Sequence, residues 1–192
     1  MKRFFIGIDP GLSGGLSVID EHEHVHLCVP MPVRGGEVDS RLLAAYLQKY
    51  MKEGSISCVL EKVAAMPGQG VCAMFTFGDG YGSVKAVLRI LRISFQQVTP
   101  QAWKKVVLEG LPWKADYPKL KLENSLTEDQ KKEQTKAHNS RKASAKKTAK
   151  LVGCTFIERK FPSVDLYLGK KNPHDGMAES LCMALYAKKN SS

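Results

Sequence analysis

Two acidic residues in this sequence each end a short apolar run. Asp9 follows the run at residues 4–8 and precedes a turn rich in glycine at residues 10–15, and Glu61 ends a second run at residues 57–60. Apolar runs of this length bounded by turn residues are typical of buried strands. A carboxylate delivered by a buried strand must be paired, bound to a metal or catalytic, because an unpaired buried charge is prohibitively costly.

A second pair of acids, Asp175 and Glu179, lies near the end of the chain. Their spacing puts both side chains on one face of a helix, with the Cβ atoms about 5 to 6 Å apart. Two like charges at that distance repel each other unless a cation lies between them. Together with Asp9 and Glu61 they supply four hard oxygen ligands, which suits two Mg²⁺ or Mn²⁺ ions. Two such ions about 3.5 to 4 Å apart activate a water and stabilise the leaving oxygen of a phosphodiester.

Each of these acids has a simpler interpretation when it is taken alone. One acid at a strand end is more often a turn residue or a helix N-cap than a ligand. An acidic pair four residues apart is usually solvated surface. The joint pattern, in which two acids end apolar runs and two begin an amphipathic helix of a basic chain, favours a metal site that hydrolyses nucleic acid.

The totals of the chain favour one domain and a polyanionic partner. Its 192 residues, 43% of them hydrophobic, are enough for a single compact domain over residues 1–192 with a sizeable core. The formal net charge of +10 favours nucleic acid or an anionic membrane surface. No apolar stretch approaches the roughly 20 residues that a bilayer requires. We therefore expect nucleic acid, and no membrane, as the partner.

Cysteine usage and the start of the chain predict an intracellular protein. The five cysteines are scattered, odd in number and without a CxxC pair, so neither a disulfide framework nor a zinc site is indicated. The first strand begins within a few residues of Met1, so no leader peptide is expected. A reducing interior, in association with DNA, is the expected setting.

Hydrophobic periodicity predicts strands and helices that alternate around these acids. After the first strand, strands are predicted at residues 16–19, 25–29, 57–61 and 93–98, the first two of them as a hairpin. Helices are predicted at residues 40–51, 82–93, 100–108, 140–152 and 175–187. A stretch rich in glycine and aromatic residues predicts a mobile loop at residues 66–82. A polar, lysine-rich insertion is predicted at about residues 110–138.

Most of the excess positive charge lies in one segment. Residues 131–150 hold eight lysines and arginines against one acid, a local net charge of +7. The predicted helix in this segment presents a basic ridge, which is either a solvated face or a surface for DNA phosphates. The scarcity of balancing acids favours phosphate contacts, which make binding depend steeply on salt rather than on base sequence. The candidate DNA-binding residues of the ridge are Arg141, Lys142, Lys146 and Lys147.

Four segments of the sequence resemble the RuvC-type Holliday junction resolvases of the ribonuclease H-like superfamily, and more closely their phage and chloroplast relatives. These segments are residues 6–14, 60–62, 77–82 and 174–181, in the family's order. The resemblance implies an α/β fold in which helices flank a mixed five-stranded sheet. It implies a homodimer that resolves four-way DNA junctions by paired symmetrical nicks. It also implies that two divalent metal ions are held by Asp9, Glu61, Asp175 and Glu179.

The resemblance extends to further site residues. The last two acids lie four apart, as in the phage and chloroplast branch, whereas better-known bacterial members space them three apart, so His174 is an alternative metal ligand. Lys136 is the best match to a lysine that the family places close to the scissile phosphate, where it would be catalytic; the alternative is an ordinary surface lysine. Phe75 and Phe77 match a loop that probes the junction centre. Stacking on an unpaired base would contribute about 1 to 3 kcal/mol, and the alternative is that both rings anchor the loop in the core.

Three other functions share parts of this pattern. A sugar-kinase-like or actin-like ATPase also begins with a strand, an aspartate and a glycine-rich turn, but 192 residues are too few for its usual two domains, so we expect no nucleotide cofactor. Another ribonuclease H-like nuclease, acting on RNA–DNA hybrids or branched DNA, would use the same four acids. A catalytically inactive DNA-binding module is disfavoured because all four acids are present.

Overall fold

The computed structural model of the protein describes residues 2–64, 70–117, 120 and 127–191. Within these residues the strands are β1 (Lys2–Asp9), β2 (Gly15–Asp20), β3 (Val25–Pro30), β4 (Val33–Arg34), β5 (Glu37–Val38), β6 (Gly54–Glu61) and β7 (Phe95–Val98). The helices are α1 (Ser40–Glu53), α2 (Val71–Ile90), α3 (Pro100–Val107), α4 (Glu128–Lys160) and α5 (Asp175–Lys189). None of the helices in these residues is both long enough and apolar enough to cross a membrane.

Five of the strands form one mixed sheet in the order β3-β2-β1-β6-β7. Strand β1 is antiparallel to β2 and parallel to β6, and β7 is parallel to β6. The mixed five-stranded sheet that the sequence resemblance implied is therefore confirmed. Since Ile8 pairs with Leu60 in the parallel register, Asp9 and Glu61 emerge side by side at the same end of neighbouring strands.

The two faces of the sheet are covered by different helices. Phe4, Ile6 and Ile8 of β1 pack against α1 and α2, whereas Phe5 belongs to the core on the opposite face, which includes α3, α4 and α5. Side chains alternate between the faces of a strand, so Asp9 points to the face that α5 covers. The same alternation in β6, where Leu60 and Val59 belong to opposite cores, directs Glu61 to that face as well.

The loop predicted at residues 66–82 is wrong for its second part, because α2 begins at Val71. Residues 66–69 lie outside the described residues. The glycines that suggested a loop are compatible with this helix: Gly80 is buried, and a Cβ atom there would approach Val38 Cγ2 to 3.3 Å. Packing of α2 against α1 and β5 thus overrides the low helix propensity of glycine. Phe75 and Phe77 consequently lie on a helix and not in a loop.

The basic segment forms a longer helix than the sequence predicted. Residues 140–152 were expected to be helical and residues 110–138 to form an insertion, but α4 runs without a break from Glu128 to Lys160. A capping box begins it, in which Thr127 N–H donates to Gln130 Oε1 at 2.9 Å and Gln130 N–H donates to Thr127 Oγ1 at 3.3 Å. The insertion is therefore shorter than predicted, and its residues 118–119 and 121–126 lie outside the described residues.

Helix α5 lies unusually close to the central strand. A Cβ atom on Gly7 of β1 would be 2.0 Å from the carbonyl oxygen of Ser180 and 2.4 Å from the amide nitrogen of Ala184. Only glycine at this position allows the two backbones to touch. In contrast, a Cβ atom on Gly153 of α4 would have no atom within 4 Å.

We expect Gly7→Ala to lower the free energy of unfolding by about 1 to 3 kcal/mol or more, because the methyl group must push α5 away from the sheet. The matched substitution Gly153→Ala should raise that free energy by about 0.5 to 1 kcal/mol, because alanine is the better helix former and nothing obstructs it. Urea unfolding followed by circular dichroism measures both. Equal effects of the two substitutions would contradict the close packing.

A buried carboxylate, Asp20, holds the β2–β3 hairpin together. Its Oδ2 lies 3.0 Å from His26 Nε2 and 3.2 Å from His24 Nδ1, and its Oδ1 accepts the backbone N–H groups of His22 and His24. Burial by itself raises the pKa of the Asp20 carboxyl, but the hydrogen bonds from His26, His24 and His22 outweigh it and hold the pKa well below its ordinary value. The ionised form of Asp20 is thus favoured by the fold.

Because the pKa of Asp20 is depressed in the folded state, its contribution to stability is present above the unfolded pKa of about 4 and is lost as the pH falls below it. We expect Asp20→Asn to lower the free energy of unfolding at pH 7 by about 1 to 3 kcal/mol. The difference between the wild type and the variant should shrink steadily below pH 4. A pH-independent difference in urea unfolding would contradict this role.

Candidate active site

The β1–β2 turn holds the first carboxylate, Asp9, in place. The backbone N–H of Gly11 donates to Asp9 Oδ1 at 3.3 Å, and Gly14 N–H donates to the Gly11 carbonyl at 2.8 Å. A Cβ atom on Gly14 would be 2.1 Å from the Asp9 carbonyl oxygen, so the turn closes directly around the end of β1. The glycine-rich turn after Asp9 therefore positions the carboxylate at the C-terminal end of β1, the central strand of the sheet.

The N-terminus of α5 rests on this same turn. A Cβ atom on Gly176 would be 2.3 Å from the carbonyl oxygen of Ser13, and one on Gly15 would be 2.6 Å from that of Gly176. Asp175 is the first residue of α5. Its neighbour His174 is the N-cap, and the Nδ1 atom of His174 accepts the Met177 N–H at 3.2 Å. The last two predicted acids thus begin a helix that is seated beside Asp9.

Glu61 shows that the predicted carboxylates share one electrostatic environment. Its side chain is buried, and burial followed by the nearby Asp9 carboxylate raises its pKa to about 7, with a further contribution from Glu179. A hydrogen bond from Trp103 and the charge of Lys104 act in the opposite direction. A carboxyl group whose pKa is raised by two other carboxylates lies in a cluster of like charge.

Asp175 belongs to the same region of the molecule. The buried thiol of Cys154, on α4, has its pKa raised to about 11 by burial and then by the charges of Asp175, Glu158 and Glu179. Asp175 and Glu179 therefore both lie near one point of α4. The structure places Asp9 and Glu61 at the same end of neighbouring strands, with Glu179 close enough to act on Glu61, and Asp175 begins the helix that carries Glu179.

Two functional residues of the site, Trp103 and Lys104, were missed by the sequence reasoning. Trp103 Nε1 donates to Glu61 Oε1 at 3.0 Å. Lys104 Nζ donates to Glu179 Oε1 at 2.6 Å, and this ion pair is largely covered, with the two side chains 19% and 16% exposed. The position of their helix was a signal for both residues. Because β7 is parallel to β6, the helix that follows β7 starts at the end of the sheet where Glu61 lies.

The predicted lysine Lys136 is not brought to this cluster. It lies on α4 eighteen positions before Cys154, which corresponds to about 27 Å along the helix axis. Arg141 and Lys147 lie between them on exposed positions of the same helix. Lys104 is the lysine that contacts the carboxylates.

The remaining predicted contact residues lie around the site at different distances. Phe77 is half-buried beside the Asp9 turn, since its Cε2 atom is 3.8 Å from the Cβ position of Gly11, whereas Phe75 is 79% exposed.

Two predicted DNA-binding lysines of α4 have neighbours in the structure. Lys142 Nζ lies 5.7 Å from the centre of the Tyr117 ring. Lys146 lines a groove together with Lys104. His174 serves as a helix cap, and burial lowers its pKa.

The donor set fits hard divalent cations in its chemistry, because all four acids offer oxygen and the negative charges of Asp9 and Glu179 raise the pKa of Glu61. Within the parts of the chain that the structure describes, no group of three or more histidine, cysteine, aspartate or glutamate side chains already converges as a formed metal site. The four acids would have to close by small side-chain movements to hold an ion, and Lys104 would have to release Glu179.

Comparison with known proteins gives structural likenesses only. No protein-family model matches this chain. No curated protein matches its sequence significantly. Thermus thermophilus RuvC aligns with 100% of this chain and 98% of its own, at 13% identity and a TM-score of 0.45. T. thermophilus RuvC in complex with a Holliday junction substrate aligns with 98% of this chain and 97% of its own, at 14% identity and a TM-score of 0.46.

We expect Trp103→Phe to lower the free energy of unfolding by about 1 to 3 kcal/mol, because the buried Glu61 carboxylate loses its N–H donor. A double-mutant cycle with Glu61→Gln separates this hydrogen bond from the change in ring size. At a pH above the pKa of Glu61, Trp103→Phe should cost less in the Glu61→Gln background than in the wild type. An equal cost in both backgrounds, measured by urea unfolding, would show that only packing is lost.

Proposed function

We propose that this protein is an endonuclease that resolves four-way DNA junctions by paired symmetrical nicks. One observation carries the proposal: Asp9 and Glu61 end neighbouring parallel strands side by side, and the consecutive residues Trp103 and Lys104 of α3 contact Glu61 and Glu179. A net charge of +10 supports a polyanionic substrate. The four sequence segments that resemble junction resolvases support the branched substrate.

The cofactor we propose is a pair of Mg²⁺ or Mn²⁺ ions. Asp9, Glu61, Asp175 and Glu179 would hold them, with His174 as an alternative ligand in place of one acid. When bound, such ions supply an activated water and neutralise charge on the phosphodiester. The carboxylates themselves orient the site, because Asp9 and Glu61 are fixed by the sheet and Glu179 by the first turn of α5.

Lys104 has two partners in this proposal. In the structure its ammonium group is paired with Glu179 at 2.6 Å. A phosphate that approaches the carboxylates brings a competing negative charge, and Lys104 is close enough to both to transfer its hydrogen bond. It would then stabilise the charge that develops on the phosphate. We assign to Lys104 the role that the sequence resemblance suggested for Lys136.

The surroundings of the site suit a branched substrate. Phe75 is largely exposed on the first turns of α2, where it could stack on an unpaired base at a junction centre, whereas Phe77 is anchored beside the Asp9 turn. The basic face of α4, with Arg141, Lys142 and Lys147, would contact phosphates of the arms, whereas Lys146 borders the groove beside Lys104. A homodimer would provide the two active sites that two symmetrical nicks require.

The experiment that tests the proposal compares three substrates in the presence of Mg²⁺: a synthetic four-way junction, a linear duplex of the same arms and an RNA–DNA hybrid. We expect the junction to be nicked fastest, at symmetrical positions on two strands. Asp9→Asn should lower the cutting rate by about 100-fold or more while junction binding, measured in EDTA by gel shift, is retained. The matched control Asp129→Asn changes an acid that is 94% exposed on α4 and should cut normally.

Equal cutting of the junction and the linear duplex would exclude a junction resolvase. Preferred cutting of the hybrid would point instead to another ribonuclease H-like nuclease. Hydrolysis of ATP without cutting of any substrate would favour the sugar-kinase-like or actin-like ATPase as the alternative. Equal loss of activity in Asp9→Asn and Asp129→Asn would show that the carboxylate cluster is not the active site.

A further inference from the structure

A groove of about 580 Å³ lies next to the candidate active site. Its walls come from the first turns of α3, from residues 113–115 and from α4. A cavity in the range of about 300 to 1,000 Å³ holds a drug-sized molecule, and one or two nucleotides are of that size. We call this feature the α3–α4 groove.

The α3–α4 groove is basic. Lys104, Lys114 and Lys146 line it, and none of the described residues that line it is acidic. Each of the three lysines comes from a different wall. Lys104 is already paired with Glu179, so Lys114 and Lys146 add positive charge that no acid among the lining residues balances. Lysines from different walls of one groove suit an anion longer than a single phosphate.

The groove leads to the carboxylates. Lys104 lines it and also contacts Glu179 at 2.6 Å. Trp103, the residue before Lys104 on α3, donates to Glu61 Oε1 at 3.0 Å. A strand that lies in the groove would therefore reach the part of α3 that contacts Glu61 and Glu179.

One wall of the groove carries an aromatic side chain. Trp113 lies half-buried in the wall and packs partly against the core that contains α5, with the Lys114 ammonium group 5.1 Å from its ring centre. Four residues later, Tyr117 has the ammonium group of Lys142 at 5.7 Å. Aromatic rings interleaved with lysines are the usual construction of a surface for single strands, where bases stack on the rings and the lysines follow the backbone.

We propose that the α3–α4 groove binds one unpaired nucleic-acid strand and guides it to the carboxylate cluster, with the backbone along Lys114 and Lys146 and a base against Trp113. The proposal rests on the proposed nuclease function and adds the path of the strand. A single strand is favoured over a duplex because the groove, which is bordered by two helices and a short segment, has a size that suits one or two nucleotides.

The test measures binding of a fluorescein-labelled twelve-nucleotide oligothymidylate, and of a duplex of the same length, in EDTA at several salt concentrations. The double substitution Lys114→Gln/Lys146→Gln should weaken oligothymidylate binding by about tenfold or more and flatten the slope of log K against log[salt] by about 1.4, since each single-strand phosphate contact contributes about 0.7. The matched control Lys2→Gln/Lys52→Gln removes two exposed lysines far from the groove, near the β1 end opposite Asp9, and should leave both quantities unchanged.

Trp113→Leu separates stacking from charge. It keeps an apolar side chain against the core but removes the aromatic surface, so binding should weaken by about fivefold or more with no change in the salt slope. Loss of the salt slope in this variant would contradict a stacking role. If Trp113→Leu lowers the stability of the protein, the double lysine substitution still tests whether the strand follows the groove.

Cutting of the four-way junction with Mg²⁺ is measured in parallel, which separates the two proposals. If the wild type cuts no nucleic acid, the proposed function is wrong. The effect of the lysine substitutions on oligothymidylate binding then still tests whether the groove binds a single strand. If the wild type cuts but the groove variant binds like the control, the groove proposal is overturned. Tighter binding of the duplex than of the single strand, with the same loss in the groove variant, would overturn the assignment to a single strand.

Discussion

The candidate site depends on the contact between the backbone of α5 and the backbone of β1. Gly7 has no side chain to separate them, and Gly15 and Gly176 extend the same close contact to the turn that follows Asp9. A helix that touches a strand this closely has little freedom to slide or to tilt. The start of α5, and with it Asp175 and Glu179, is thereby fixed relative to the ends of β1 and β6. A larger residue at any of these glycines would collide with backbone atoms of the facing segment, so the contact that positions α5 would be lost.

This arrangement has an electrostatic cost that the same elements offset. Bringing carboxylates together at a partly buried position disfavours their ionised forms, as the raised pKa of Glu61 shows. Helix α3 compensates with two consecutive residues: Trp103 donates to Glu61, and Lys104 pairs with Glu179. Because α3 begins where β7 ends, at the same edge of the sheet, a short connection is enough to deliver both groups. The site is thus a product of sheet topology as much as of the four acids.

The sequence predicted the strands that position Asp9 and Glu61, because buried strands leave a strong apolar signature between turn residues. It also predicted α5 and the spacing of its acids. The order of the strands was not contained in those patterns, and the resemblance of four short segments implied only a mixed five-stranded sheet flanked by helices. The start of α2 was missed because its glycine content suggested a loop. The packing of Gly80 against Val38, which helps to stabilise the helix, is a tertiary contact that the local sequence does not reveal. The length of α4 was missed because its first half is polar and lacks periodicity, although the capping box at Thr127 marks its start. Lys104 lies on a helix that the sequence did predict, but its role was missed because its pairing with Glu179 joins residues far apart in the chain.

Helix α4 carries a basic surface away from the core that anchors its C-terminal part. Its C-terminal part is anchored by Cys154 and Ile157 in the core that α5 completes. The basic residues from Lys131 to Lys147 lie N-terminal to that anchor, so they extend away from the carboxylates over about 10 to 35 Å of helix. A compact anion would meet few of these charges at once, whereas an extended polyanion meets many of them while one of its phosphates lies at the site. The separation of charge along α4 therefore favours a nucleic-acid arm as the partner of this surface, since phosphates spaced along a duplex match lysines spaced along a helix.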